Sequence, residues 1–169
     1  VIIRVSELQG DGLTIDDPGT VGAVYQDPSW HLDGVRLHVG RDGIDVVVAG
    51  EVDATVPQMC GRCLEAFPVM VQAPVDLRFI PRPATGDSLE LSTDDFETDF
   101  FTNDELDLGA VIETETTLAL PMKPLCRESC LGLCPACGVN RNLVACTCPE
   151  RPSDPRLAVL RDLAAPLDH

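Results

Sequence analysis

The stretch Val35–Val56, VRLHVGRDGIDVVVAGEVDATV, alternates apolar and polar residues on either side of Asp42-Gly43. A strand points successive side chains to opposite faces, so such alternation reads as a half-buried strand. Asp-Gly between two alternating runs reads as the turn of a β-hairpin. Toward the C-terminus, Phe67 to Ile80 reads as a further strand, and Cys60 and Cys63 of the run MCGRCLE fall on the connection between them. A turn from one strand into the next presents both thiols on one side. Toward the N-terminus, the first roughly thirty residues are rich in Gly, Asp and Pro and are expected to be loops around a short strand.

Two helices are expected beyond the strands. Asp107 can cap a helix running to about Leu120, with Leu108, Val111, Ile112, Leu118 and Ala119 on one face and Pro121 ending it. In the last segment Asp154 caps and Pro155 takes the first helical position. Leu157, Leu160, Leu163 and Ala164 form an apolar stripe suited to packing on the sheet, and Pro166 stops the helix. The expected fold class is α+β: a twisted antiparallel β-sheet or partly open barrel, two helices and a C-terminal cysteine-rich segment resembling a zinc knuckle.

At 169 residues the chain fits a single domain, 1–169, and can bury about 70% of its unfolded surface without help from cysteines. Residues 1–86 are expected to be mainly β with the C-x-x-C pair. Residues 87–107 are expected to be an acidic loop segment, and 108–169 to hold the helix, the knuckle and the final helix. No apolar run is long enough to span a membrane. The opening VIIRVSELQ has no basic region followed by an apolar stretch and a cleavage site, so a cytoplasmic location is expected.

Acids outnumber bases 28 to 12, a net charge of −16. Phosphates must be neutralised by Lys and Arg, so this field disfavours non-specific contact with nucleic acid. The segment 87–107, DSLELSTDDFETDFFTNDELD, has no base and suits a basic partner, while Phe96, Phe100 and Phe101 within it call for something to pack on. Bases gather instead beside the cysteines: Arg62, Lys123, Arg127 and Arg141 are candidate contacts for RNA or a partner.

Six of the eight cysteines lie between Cys126 and Cys148. In a reducing compartment such clustering points to metal or redox chemistry rather than to disulfides. Gly132-Leu-Cys134-Pro-Ala-Cys137-Gly138 has the form of a zinc-knuckle turn, because the glycine after the second cysteine lets the chain double back. Cys146 and Cys148 are close enough to complete a closed four-thiolate site with Cys134 and Cys137. The other four, Cys60, Cys63, Cys126 and Cys130, form a candidate second site that staples the sheet to the tail. The spacing also allows ligands to be exchanged between the two sets. Zinc is the expected cofactor, and four thiolates leave no open position for activating water.

Catalytic signals are absent from the sequence. His31 and His38 stand away from any nucleophile, His169 is terminal, and Asp94-Asp95 reads as loop charge. No phosphate loop or serine elbow is present. The expectation is a non-enzyme without a small-molecule substrate or a membrane partner. A redox-responsive zinc–thiol protein or chaperone is the alternative.

The series Cys60-Gly-Arg-Cys63-Leu-Glu, Leu118-Ala-Leu-Pro-Met-Lys-Pro-Leu-Cys126, Gly132 to Gly138, Asn140-Arg-Asn142 and Asp154-Pro-Arg-Leu-Ala158 runs in an order that resembles the YceD family. These are bacterial and plastid proteins described as large ribosomal RNA subunit accumulation proteins, and the resemblance spans Val46 to Leu163. Asn140-Arg141-Asn142 departs from the family's usual Asn-Leu-Asn. The resemblance implies a factor supporting synthesis, processing or accumulation of 23S rRNA and assembly of the large ribosomal subunit, with no catalytic residue carried over. The implied partner is a large-subunit precursor, either its rRNA or a basic ribosomal protein.

Overall fold

The computed structural model describes residues 1–8, 10–82 and 98–149. The helix expected from Asp154, His169 and residues 87–97 of the acidic segment, Phe96 among them, lie outside the described residues. The chain resolves into two compact units, Val1–Gln58 with Ala66–Pro124, and Met59–Glu65 with the residues from Leu125.

The first unit carries a twisted five-stranded sheet in the order β2 (Leu13–Ile15), β3 (His31–Asp42), β4 (Asp45–Met59), β5 (Ala66–Pro81) and β6 (Thr98–Phe101). A two-stranded sheet pairs β1 (Ile2–Arg4) with β7 (Glu105–Asp107). Strands β3 and β4 form the expected hairpin, with the turn moved by one residue. Asp42 pairs with Asp45, so Gly43 and Ile44 make the loop. Gly43 has φ +67°, and a positive φ at the first loop position is the mark of the II′ turn whose twist matches the strands.

Alternation sets the buried face. Val35, Leu37 and Val39 of β3, Val46, Val48 and Val52 of β4, and Ala73, Val75 and Phe79 of β5 share one core. Glu51 meets Gln72 and Asp45 meets Arg78 on the other face, so β4 and β5 run in opposite directions. Gly50 sits opposite Leu37 with φ +147°, where an added Cβ would lie 1.9 Å from the Arg36 carbonyl oxygen. Only glycine fits there. Pro68 and Pro74 lie on the part of β5 that β6 does not reach, where a missing N–H costs no bond to that strand.

The sheet is not wholly antiparallel. β6 pairs parallel with β5, Arg78 opposite Thr98 and Pro81 opposite Phe101. Nor, among the described residues, does the sheet close into a barrel, since β2 and β6 are its two edges. Direction of docking leaves no mark on a four-residue strand, so the expected antiparallel sheet is mixed at this one edge. Residues 98–107, expected to be acidic loop, form β6 and β7 joined through Asn103 and Asp104, both at positive φ. Asn and Asp tolerate that conformation better than other L-residues. Asp104 then accepts from the Ser6 N–H at 3.0 Å, and Phe101 packs on the core.

Two α-helices are present among the described residues: the short α1 (Pro18–Val21) and α2 (Leu108–Ala119). Asp107 caps α2 as expected, its carboxylate accepting from Gly109 N at 2.9 Å and Ala110 N at 3.4 Å. Leu108, Val111 and Ile112 enter the core, but Leu118 is 73% exposed. Buried Thr116 stands on the inner face instead, with its hydroxyl 3.0 Å from that of Tyr25.

Candidate metal centre

All eight cysteines belong to the second unit, and all are free thiols. Two of its turns share one construction. In the first, Cys60 N donates to Glu65 O at 2.9 Å and Leu64 N to Cys60 O at 3.0 Å, with Leu64 at φ +59°. In the second, Cys134 N donates to Val139 O and Gly138 N to Cys134 O, both at 2.8 Å, with Gly138 at φ +75°. Each is a C-x-x-C knuckle whose next residue turns left-handed. The first was not legible as a knuckle because leucine occupies the position that usually asks for glycine.

Each knuckle meets a second cysteine pair. The sulfurs of Cys60, Cys63, Cys126 and Cys130 lie within 4.8 Å of one another, and so do those of Cys134, Cys137, Cys146 and Cys148. Individual separations are 3.8 Å for Cys60–Cys130, 3.7 Å for Cys63–Cys126, 3.6 Å for Cys137–Cys146 and 3.3 Å for Cys134–Cys146. A zinc tetrahedron with Zn–S bonds of about 2.3 Å has edges of about 3.8 Å. Donor type, donor number and spacing all fit a Zn²⁺ ion at each cluster.

Electrostatics within the clusters point the same way. Backbone N–H groups of Cys126, Cys63 and Arg62 aim at the Cys60 sulfur and lower its thiol to about 6. Cys134 falls to about 6 as well, through the N–H groups of Cys137 and Ala136. Burial and the neighbouring thiols push Cys126 up to about 12, while donating hydrogen bonds to Cys146 and Cys137 pushes Cys148 up to about 12. Four sulfurs so close cannot all carry charge unaided, and a dication at the centre removes the conflict.

The clusters differ in exposure. In the first, Cys60, Cys63 and Cys130 are buried and Cys126 is exposed, whereas in the second only Cys134 is buried and both Cys137 and Cys148 are exposed. Two of the bases expected to be contacts have internal partners. Arg62 donates to the carbonyls of Glu128 at 3.0 Å and Cys130 at 3.1 Å, and Arg127 donates to the Asn142 side-chain oxygen at 2.9 Å. Arg141 is exposed on the loop between the two ligand pairs of the second cluster, and exposed Lys123 belongs to the other unit. Sequence reading gave no role at the clusters to Asn140 or Asn142. Their signal was the position of two asparagines in a short loop between ligand pairs, where side-chain amides can satisfy backbone groups and sulfur together.

By class, this is an α+β protein with a unit built around eight cysteines in two four-sulfur clusters. No helix among the described residues is long and apolar enough to cross a membrane. The chain belongs to the YceD family: the family model described as "Large ribosomal RNA subunit accumulation protein YceD" matches residues 48–164, a range that includes both clusters. An uncharacterized protein of Mycobacterium leprae is 34% identical over 131 residues, covering 77% of this chain and 58% of its own length. Uncharacterized proteins of Mycobacterium bovis and Mycobacterium tuberculosis are each 34% identical over 131 residues, covering 75% of this chain and 60% of theirs. The chain thus spans 58 to 60% of the length of the curated relatives it matches. No solved structure is a significant match.

Proposed function

We propose that this protein is a zinc-stabilised, non-catalytic binding factor that supports accumulation of 23S rRNA and assembly of the large ribosomal subunit in the cytoplasm. Membership of the YceD family carries the reading. Zinc at both clusters gives the second unit a folded core that its short segments would otherwise lack. The partner is a large-subunit precursor, contacted through a basic ribosomal protein. The net charge of −16 favours this over direct contact with rRNA. Arg36 and Arg78 are already paired with acids of the sheet, Glu51 and Asp53 for the first, Asp42 and Asp45 for the second. A cleft of about 310 Å³ in the first unit has Asp99, Glu105, Asp107 and Glu115 on its walls and no Lys or Arg among its described lining residues. Arg141 and Lys123 are the bases through which rRNA would be met instead.

Sucrose-gradient sedimentation of a native lysate tests the reading. Co-migration with precursor particles and absence from mature subunits is expected. A peak only at the top of the gradient, unchanged after mild cross-linking, would sink it. A redox-responsive zinc–thiol protein is the second reading, favoured by the exposure of Cys137 and Cys148. Zinc retained under mild peroxide counts against it.

A further inference from the structure

The loop that joins the two ligand pairs of the second cluster reaches into the first cluster. Its Asn142 amide nitrogen donates to the Cys130 sulfur at 3.3 Å and to the Asn140 side-chain oxygen at 2.8 Å. Its amide oxygen accepts from Leu131 N and from Arg127, both at 2.9 Å. Asn140 donates to Glu65, next to the first knuckle, at 3.3 Å. The Arg62 carbonyl, between Cys60 and Cys63, accepts from Leu133 N at 3.0 Å. Gly132 holds this approach open at φ +69°, since a Cβ there would lie 3.0 Å from the same carbonyl.

We infer that Asn142 is a positioning residue that makes metal binding at the two clusters cooperative. The inference rests on zinc occupying the clusters, as proposed above. Closing Cys134, Cys137, Cys146 and Cys148 around one ion fixes the ends of the loop 138–145. The fixed loop holds Asn142 with its N–H toward Cys130, where it stabilises the thiolate form needed by the other ion. Outer hydrogen bonds of this kind are worth about ten- to a hundredfold in metal affinity. Coupling of binding is reciprocal, so loading the first cluster strengthens the second by the same factor. The Nδ2 donor is the group that does this, and the carboxylate of Asn142→Asp cannot replace it beside a thiolate.

The test is a double-mutant cycle on the full chain: native, Cys148→Ser, Asn142→Asp and both together. Zn²⁺ content is measured, and Co²⁺ affinity of the first cluster is followed by its thiolate-to-metal absorption. Cys148→Ser is expected to weaken the first cluster by about tenfold or more in the native background and to change little once Asn142→Asp is present. Asn142→Ser, lacking both the charge and the reach, should behave like Asn142→Asp, and far-ultraviolet circular dichroism of the sheet identifies any variant that fails to fold. Equal effects of Cys148→Ser in both backgrounds, or no effect in either, would overturn the coupling while leaving zinc binding intact. A native chain that binds neither Zn²⁺ nor Co²⁺ would overturn the zinc reading itself, and the coupling with it.

Discussion

Cys63 and Cys126 are 63 positions apart in the chain, and their sulfurs lie 3.7 Å from each other. Burial and the neighbouring thiols raise the pKa of Cys126, and Cys63 is raised too, so both become thiolates together only when a cation sits between them. Metal bound there would therefore stabilise the second unit in particular. Chelation of the native protein is expected to release two Zn²⁺ per chain, one for each cluster. It should speed amide exchange in 59–65 and 125–149 while the strands of the first unit stay protected. Exchange mass spectrometry with and without a strong chelator checks this, and uniform loss of protection across both units would contradict it.

Leu64 holds a left-handed φ of +59° in the first knuckle and is 57% exposed, so its side chain contributes little burial in return. Leu64→Gly should stabilise the metal-loaded unit by about 1 kcal/mol, and Leu64→Val should destabilise it by at least as much, since branching at Cβ worsens the clash. Rates of metal loss to a chromogenic chelator should follow the same order, slowest for glycine.

Gly50 allows the opposite substitution to be judged. With an added Cβ only 1.9 Å from the Arg36 carbonyl oxygen, Gly50→Ala must part β3 from β4 in the middle of the hairpin. A loss of about 3 kcal/mol or more is expected in urea unfolding, at the upper end of single substitutions.

Tyr25 is the only tyrosine, so absorbance near 295 nm titrates it alone. Burial raises its phenol above the usual value of 10.0, the Thr116 hydrogen bond partly opposing the rise. A group with a raised folded pKa binds more protons folded than unfolded above pH 10. Its contribution is therefore full below about pH 10 and is lost as pH climbs through the folded value. Tyr25→Phe should remove this alkaline slope and cost about 1 kcal/mol at neutral pH through the lost bond to buried Thr116. An unchanged slope in the variant would assign it elsewhere.

Substitutions in the acid-lined cleft test the proposed partners against each other. Replacing Asp99, Glu105 and Glu115 by their amides should weaken binding to a basic ribosomal protein at least tenfold while leaving the fold intact. Tighter binding to large-subunit rRNA with no change toward protein would instead assign contact to the basic residues, beginning with Arg141. A pull-down with each partner at fixed ionic strength reads both outcomes, because salt alone weakens either contact.

Asp107, the β3–β4 hairpin and the extent of β5 were legible because each is written in neighbouring residues: a cap before an apolar stripe, or alternation beside a turn. Leu118 was misread because periodicity marks a face without saying how far the core extends along it, and Thr116, polar by type, took the inner place through Tyr25. The parallel edge strand β6 was hidden for a different reason. Four residues carry neither a period nor a direction.

Taken alone, the sequence determined which segments alternate, where α2 begins, that eight thiols stand at ligand spacing and that acid outweighs base. These properties are local or additive, and chain order is enough to read them. Tertiary structure decided which thiols share a cluster, that Arg62 and Arg127 each turn a guanidinium nitrogen to a partner inside the second unit, and that Asn142 reaches the Cys130 sulfur. Those relationships depend on distances of a few ångströms between residues far apart in number, and such distances are set only when the intervening chain has folded.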